Sequence, residues 1–271
     1  MIRVNGQWTE NIHALDRGVM YGDGVFRTML VRGGRPLRWR RHLLKLQTDC
    51  AALGIACPAE AILTDDVTEL AEIEPDCVLK IVVTRGVGRR GYAVSADAAP
   101  TRILVTSPIP SYPGHYYSTG VKVHLCSLRL ANQPRLAGIK HLNRLENVLA
   151  RREWNDPEIS EGLLLDVAGN VIEGTMTNLF MVRESALWTP DLSQCGVAGV
   201  QRERIIEAAE KLGMSVRIES LPLTQLLEAD EVLLCNSVLG IWQVKELAGK
   251  AWGLGTRVGM LRQCLQDDSN N

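Results

Sequence analysis

The chain has no surplus of either charge: 30 Lys and Arg stand against 31 Asp and Glu, a formal net charge of −1 over 271 residues. Affinity for a polyanion rests on a basic excess, so nucleic acid is not an expected partner. The cluster Arg35, Arg38, Arg40 and Arg41 reads as a solvated surface around a helix start. No apolar run is long enough to span a bilayer. The N-terminus, Met1-Ile2-Arg3-Val4-Asn5-Gly6, opens as strand and turn, not as the charged-then-apolar pattern of a secretory signal. The seven cysteines lack a CxxC pair or a Cys/His ligand spacing, which argues against a disulfide framework or a zinc site, and no metal is expected. Cys50, Cys57, Cys77, Cys126 and Cys235 lie in apolar stretches and read as small core residues. That usage fits a reducing compartment, so a cytoplasmic protein without a membrane partner is expected. No internal repeat is visible.

What is there is enough chain for two modest domains with real cores. Strand and helix signals alternate through the first half. Gly24 to Arg32 reads as a strand. Leu43, Leu46, Cys50 and Leu53 share one face of a helix from Arg41 to Leu53, closed by Gly54. Pro58 starts a second helix carrying Ile62, Val67 and Leu70. Val78 to Thr84 and Arg102 to Thr106 are β-rich and expected to pair. Between them Arg85-Gly86-Val87-Gly88-Arg89-Arg90-Gly91-Tyr92 reads as a mobile Gly-rich loop, without the strand–GxGxxG–helix order of a dinucleotide site. Pro108 to Gly120 carries three prolines and two glycines and reads as a linker. The expected organisation is a small N-terminal α/β domain at 1–108, a linker at 109–120 and a larger domain at 121–271. In the latter, Val121 to Cys126, Gly162 to Val167, Leu179 to Val182, Val216 to Ile218 and Val232 to Leu234 read as strands. Leu142 to Trp154, Val200 to Leu212 (with Gly213 at its end) and a last helix capped by Thr256 read as helices. The tail 267–271 is expected to fray.

Two short runs carry chemistry. Gly138-Ile139-Lys140-His141-Leu142-Asn143-Arg144 sets one lysine after an irregular Pro/Gly-containing stretch and at the mouth of an amphipathic helix. A lysine desolvated there loses proton affinity and becomes an amine nucleophile, suited to a Schiff base with an aldehyde cofactor. A solvated loop lysine is the other reading of that residue alone. Further on, Glu173 in Val171-Ile172-Glu173-Gly174-Thr175-Met176-Thr177-Asn178 lies between two apolar strands. A carboxylate in that setting needs a positive partner, unless it is a solvated strand end. Val200 and Gln201 start a helix after Gly196-Val197-Ala198-Gly199, where backbone N–H groups would point at an anion.

Taken together, these runs resemble the class IV family of pyridoxal-phosphate enzymes, which includes branched-chain and D-amino-acid aminotransferases and a lyase branch. Asp16-Arg17-Gly18, Tyr21-Gly22-Asp23-Gly24-Val25-Phe26, Gly196 to Val200, Ala229-Asp230-Glu231-Val232 and Cys235-Asn236-Ser237 extend the resemblance over nearly the whole chain. It implies an α/β (α+β), two-domain fold of the D-amino-acid-aminotransferase type, with pyridoxal 5'-phosphate at the domain interface, and a homodimer. It implies Lys140 as the cofactor lysine and proton carrier, and Glu173 as the partner of the pyridine nitrogen. Val200, Gln201 and Ser237 are implied as phosphate contacts. The family pattern His-x-x-Arg-Leu appears here as His42-Leu43-Leu44-Lys45-Leu46, so Lys45 takes the phosphate role as a point charge without the bidentate fork. Thr28, Lys80 and Asn236 occupy substrate-side positions, with Thr28 as a proton relay and Lys80 and Asn236 as substrate contacts. Thr28, Arg85-Gly86 with Arg90-Gly91-Tyr92, and the run Leu136 to Glu146 look most like the members that convert 4-amino-4-deoxychorismate to 4-aminobenzoate and pyruvate on the route to folate. An aminotransferase of branched-chain or D-amino acids is the alternative.

Overall fold

The computed structural model describes residues 1–95 and 98–267. The expectation of a frayed tail falls largely on residues outside that range. The chain divides into two compact units, one of Met1–Ser111 with Ile139–Asn143, the other of Tyr112–Gly138 with the chain from Arg144 onward.

The first unit contains β1 (Ile2–Val4), β2 (Gln7–Trp8), α1 (Arg17–Tyr21), β3 (Gly24–Arg32), β4 (Arg35–Pro36), α2 (Trp39–Leu53), α3 (Glu60–Ile73), β5 (Cys77–Thr84) and β6 (Thr101–Ser107). Its strands form an antiparallel sheet in the order β2-β1-β6-β5-β3-β4. Side chains alternate across a strand, and β3 buries Val25, Arg27, Met29 and Val31 on one face. The helices cover that face: Leu43, Leu46 and Cys50 of α2 and Leu63, Val67 and Leu70 of α3 pack with Val25, Met29, Leu79 and Ile81 in one core. The opposite face carries Phe26 and Thr28 on β3, and Lys80 on β5 directly opposite Thr28. The segment around Lys140 adds to this sheet. His141 bridges Val25, Phe26 N–H donates to Lys140 C=O at 2.9 Å, Leu142 N–H donates to Gly24 C=O at 2.9 Å, and Ile139 enters the core.

That pairing corrects the expected helix from Leu142 to Trp154. Backbone groups committed to β3 cannot serve a helix, and the helix that follows is confined to Leu145–Arg151. The Gly-rich loop after β5 is likewise pinned, not loose. The buried Arg17 guanidinium donates to the carbonyls of Gly91, Tyr92 and Ala93, Arg17 and Arg85 both pair with Asp23, and Gly91 N–H donates to the Tyr21 hydroxyl.

The second unit contains α4 (His115–Ser118), β7 (Val121–Leu130), α5 (Leu145–Arg151), β8 (Ile159–Asp166), β9 (Val171–Gly174), β10 (Asn178–Arg183), β11 (Ala186–Pro190), α6 (Val200–Lys211), β12 (Val216–Glu219), α7 (Leu223–Leu227), β13 (Glu231–Asn236), β14 (Gly240–Leu247), β15 (Lys250–Ala251) and α8 (Thr256–Asp267). The sheet runs β12-β11-β10-β13-β14-β7-β8-β9, with β15 on β14. Its central strands are apolar on both faces. Phe180, Val182, Leu233 and Cys235 pack under α6 and α8, while Leu179, Met181, Val232 and Leu234 pack with Trp242 and Leu226 in a second core. Burial on both faces gives the continuous apolar runs of β10 and β13 in place of an alternating pattern. No described helix is long and apolar enough to cross a membrane.

Candidate active site

Lys140 is held by its main chain. Its N–H donates to Asp49 Oδ2 at 3.1 Å and its carbonyl accepts from Phe26. Its Nζ lies 4.6 Å from the Phe26 ring centroid, and the Lys80 Nζ lies 4.8 Å from the same ring. A phenyl face attracts a cation through its quadrupole, so one ring supports two ammonium groups, with the Thr28 side chain on the same face of the sheet.

Asp49 is a residue the sequence reading passed over. Its carboxylate, 1% exposed, pairs with the 2% exposed Arg27 guanidinium and with Lys45 Nζ, the latter at 2.5 Å. Burial pushes the Arg27 guanidinium down to about 9. Lys45, implied as a phosphate contact, is thus also one member of an internal charge cluster. Both missed residues stand at positions that periodicity assigns to the core: Arg27 between Val25 and Met29 on β3, and Asp49 on the α2 stripe with His42, Leu43, Leu46 and Cys50. A charge on an apolar stripe is the signal that could have found them.

In the second unit Glu173 is buried on β9, and its Oε2 accepts the Val197 N–H at 2.8 Å. The Val197 segment is bonded on both sides to Gly138, whose N–H donates to Gly196 C=O and whose carbonyl accepts from Ala198 N–H. Gly138 has φ 75°, in the left-handed region that glycine adopts without a Cβ penalty, and this turn leads the chain towards Lys140. Arg144 lies in the electrostatic reach of Glu173: burial lowers its pKa, and the Glu173 charge opposes that shift.

Asn178 shapes the loop ahead of α6. It donates from Nδ2 to Val197 C=O at 2.7 Å and accepts the Gly199 N–H at 3.1 Å. A Cβ on Gly199 would stand 2.4 Å from Asn178 Oδ1, so only glycine fits. No side chain caps α6, leaving its N-terminal N–H groups at Val200 and Gln201 without that competitor. Gln201 accepts from Arg204 through its side chain at 2.9 Å. The turn after Glu173 rests on buried Glu161, which accepts from Thr175 N–H and Oγ1, Met176 N–H, Thr177 Oγ1 and Gly162 N–H. Burial raises the Glu161 pKa, and those hydrogen bonds oppose the rise. Asn236 uses its amide inside the chain. Oδ1 accepts from Val238 and Leu239 N–H at 2.8 Å each, and Nδ2 donates to Met176 C=O at 3.1 Å, which ties the Ser237 turn to the Glu173 turn. Cys126, read from sequence as a small core residue, has His124 and Glu153 beside it, with the three ligand atoms within 4.8 Å of one another. The Glu153 carboxylate there is taken up by the Ser127 and Leu128 amides.

The chain matches the family described as amino-transferase class IV over residues 24–247 and belongs to it. The solved structure of 4-amino-4-deoxychorismate lyase from Pseudomonas aeruginosa is similar with a TM-score of 0.96 and 44% identity, covering 100% of both chains. The aminodeoxychorismate lyase of Vibrio harveyi is 36% identical over 273 residues, 100% of each chain. A putative branched-chain-amino-acid aminotransferase of Methanocaldococcus jannaschii is 31% identical over 257 residues, 92% of this chain and 88% of that one. Enzymes of this family depend on pyridoxal phosphate. Each unit by itself offers groups of the kind that cofactor needs: the first a lysine on a fixed main chain, the second a buried carboxylate that accepts the Val197 amide and a helix start free of a side-chain cap.

Proposed function

We propose that the chain is a 4-amino-4-deoxychorismate lyase, releasing pyruvate and leaving 4-aminobenzoate, a precursor of folate. The observation that carries this reading is the array on the first unit's sheet: two lysine ammonium groups over one phenyl ring, and Thr28 directly opposite the second lysine in the strand register. The full-length likeness to two lyases supports it.

Bound pyridoxal phosphate would hold the substrate amine covalently and take up the electrons released at the neighbouring carbon. In this reading Lys140 holds the cofactor, and its freed amine removes the proton from the amine-bearing ring carbon. Thr28 passes a proton to the enolpyruvyl oxygen as that bond breaks. Lys80 binds a substrate carboxylate. Asn236 serves the substrate side by fixing the Met176 and Ser237 turns. Glu173 pairs with the pyridine nitrogen, and Lys45, Ser237 and the Val200 and Gln201 amides bind the phosphate. Loss of the proton and of pyruvate makes the ring aromatic, which drives the step forward.

Thr28→Ala is expected to bind cofactor as the parent does and to form 4-aminobenzoate roughly 10²-fold more slowly or worse, within the usual span for a lost proton relay. Product fluorescence measures the rate, and a variant at the parent rate rules out the relay. Transamination of D-alanine or a branched-chain amino acid with 2-oxoglutarate, faster than lyase turnover, would favour the aminotransferase reading that the 31% identical relative represents.

We also infer a cytoplasmic homodimer. The seven cysteines are free thiols. Leu145, Val148 and Leu149 expose 68%, 55% and 44% of their surface on one face of α5, an apolar patch fit for a second copy. Leu145→Glu with Val148→Glu is expected to give a monomer by light scattering; an unchanged dimer mass places the interface elsewhere.

A further inference from the structure

A second cluster of reactive side chains lies in the second unit, outside the candidate active site. The spacing of cysteine and histidine along the chain argues against a zinc site, because no one segment holds a full donor set. Three donors nevertheless meet in space. His124 and Cys126 stand two apart on β7, so their side chains leave the same face of the strand. Glu153, just past the end of α5, reaches them: one ligand atom from each of the three lies within 4.8 Å of the other two. His124 Nε2 and Glu153 Oε2 are 3.4 Å apart. That is about the separation of two donors sharing one tetrahedral zinc at bonds of about 2.1 Å.

The surroundings suit a bound cation. The Glu153 carboxylate is fixed by Ser127 N–H, which donates to Oε2 at 2.6 Å, and by Leu128 N–H, which donates to Oε1 at 2.9 Å. Both amides lie where the pairing of β7 with β8 shifts register, between Leu125 and Arg129. Each carboxylate oxygen keeps a second lone pair. Gly162 on β8 stands opposite His124, and a Cβ there would lie 2.7 Å from the Cys126 sulfur and 2.5 Å from the Trp154 ring. Glycine thus lets the indole close one side of the cluster, with the His124 ring 5.5 Å from it. Cys126 is 1% exposed, while the His124 and Glu153 side chains are 30% and 19% exposed, which leaves an entry path from solvent.

We propose that His124, Cys126 and Glu153 form a zinc site with three protein ligands and a water in the fourth position. A sulfur, an imidazole and a carboxylate together select zinc over magnesium or calcium, which take oxygen donors. On binding, the Cys126 thiol gives its proton to solvent and the sulfur takes the metal, while the imidazole enters neutral. The metal ties β7 to the chain leaving α5. That helix also holds the turn after Glu173, because Asn147 Nδ2 donates to Thr175 C=O at 2.9 Å.

Zinc binding here is independent of the lyase reading, and turnover is not its measure. The full-length protein is freed of metal with a chelator, kept reduced and titrated by calorimetry with zinc chloride alone. One saturable site per chain is expected. Cys126→Ser, His124→Ala and Glu153→Gln are each expected to weaken it by at least about 10-fold. Cobalt chloride in place of zinc is expected to give a sulfur-to-cobalt charge-transfer band in the near ultraviolet, absent from Cys126→Ser. His124 is partly exposed, so His124→Ala still decides the matter if serine at the buried position disturbs the fold. A protein with no saturable site, or with one that His124→Ala or Glu153→Gln weakens by less than that factor, overturns the assignment. A cobalt band retained in Cys126→Ser puts the metal on another cysteine and overturns it as well.

Discussion

Lys140→Ala is expected to lower 4-aminobenzoate formation by at least about 10³-fold, because one side chain supplies both the cofactor link and the proton carrier. The fold is expected to survive. The contacts that hold the segment are main-chain bonds to Asp49 and Phe26 and the buried Ile139 side chain, none of which involves the lysine amine. Losing the contact with the Phe26 ring costs on the order of 0.5–1 kcal/mol. A melt near that of the parent, without the visible absorbance of bound cofactor and without turnover, is the expected combination. A variant that retains turnover within about 10-fold of the parent removes Lys140 from the chemistry.

Asp49→Ala is expected to cost about 3–5 kcal/mol in urea unfolding, the usual penalty for leaving a buried charge without its partner. Arg27 is 2% exposed and cannot turn to solvent without disturbing the core of Val25, Met29 and Leu46. The same substitution removes the acceptor of the Lys140 N–H. A lower melting temperature on the order of 10 °C accompanies that loss in a chain of this length. Arg27→Met combined with Asp49→Leu is expected to recover most of the stability, since apolar groups of similar volume often replace a buried pair at little cost. The double variant is still expected to bind cofactor more weakly, because the Lys140 segment loses its anchor. An Asp49→Ala protein within about 1 kcal/mol of the parent contradicts the assigned burial of this pair.

These two residues also mark the limit of what the sequence reveals. Lys140 and Glu173 are legible because each stands in a run whose local pattern is unusual for its type. The strand Gly24–Arg32 and helix α2 are legible because their periods, two and near 3.6, persist over several residues. The family resemblance was visible for the same reason, in short blocks of fixed order. Asp49 and Arg27 lie far apart in sequence, and their meaning comes from meeting each other. A helix stripe shows that Asp49 faces inward, not what it faces. Glu161 is the same case: an acid in an apolar strand whose partners are turn amides and hydroxyls at Thr175 to Thr177.

The Ile139–Asn143 segment misled for a different reason. Leu142 reads as the start of a helix running to Trp154, yet the backbone at Lys140 and Leu142 pairs with the edge of β3, a contact over a hundred residues away in sequence. Local propensity gives way to such tertiary pairing. The Gly-rich loop after β5 shows the converse. Its composition reads as freedom, but Arg17 and Tyr21 hold its backbone through hydrogen bonds that composition cannot show.

The central claim is that Lys140 is the amine that carries the cofactor. Borohydride reduction of the protein loaded with pyridoxal phosphate, followed by digestion and mass mapping, tests it most directly. The account predicts a single phosphopyridoxyl-bearing peptide with the modification on Lys140. Modification on Lys45, Lys80 or another lysine, or a protein that releases all its cofactor on unfolding after reduction, would contradict it.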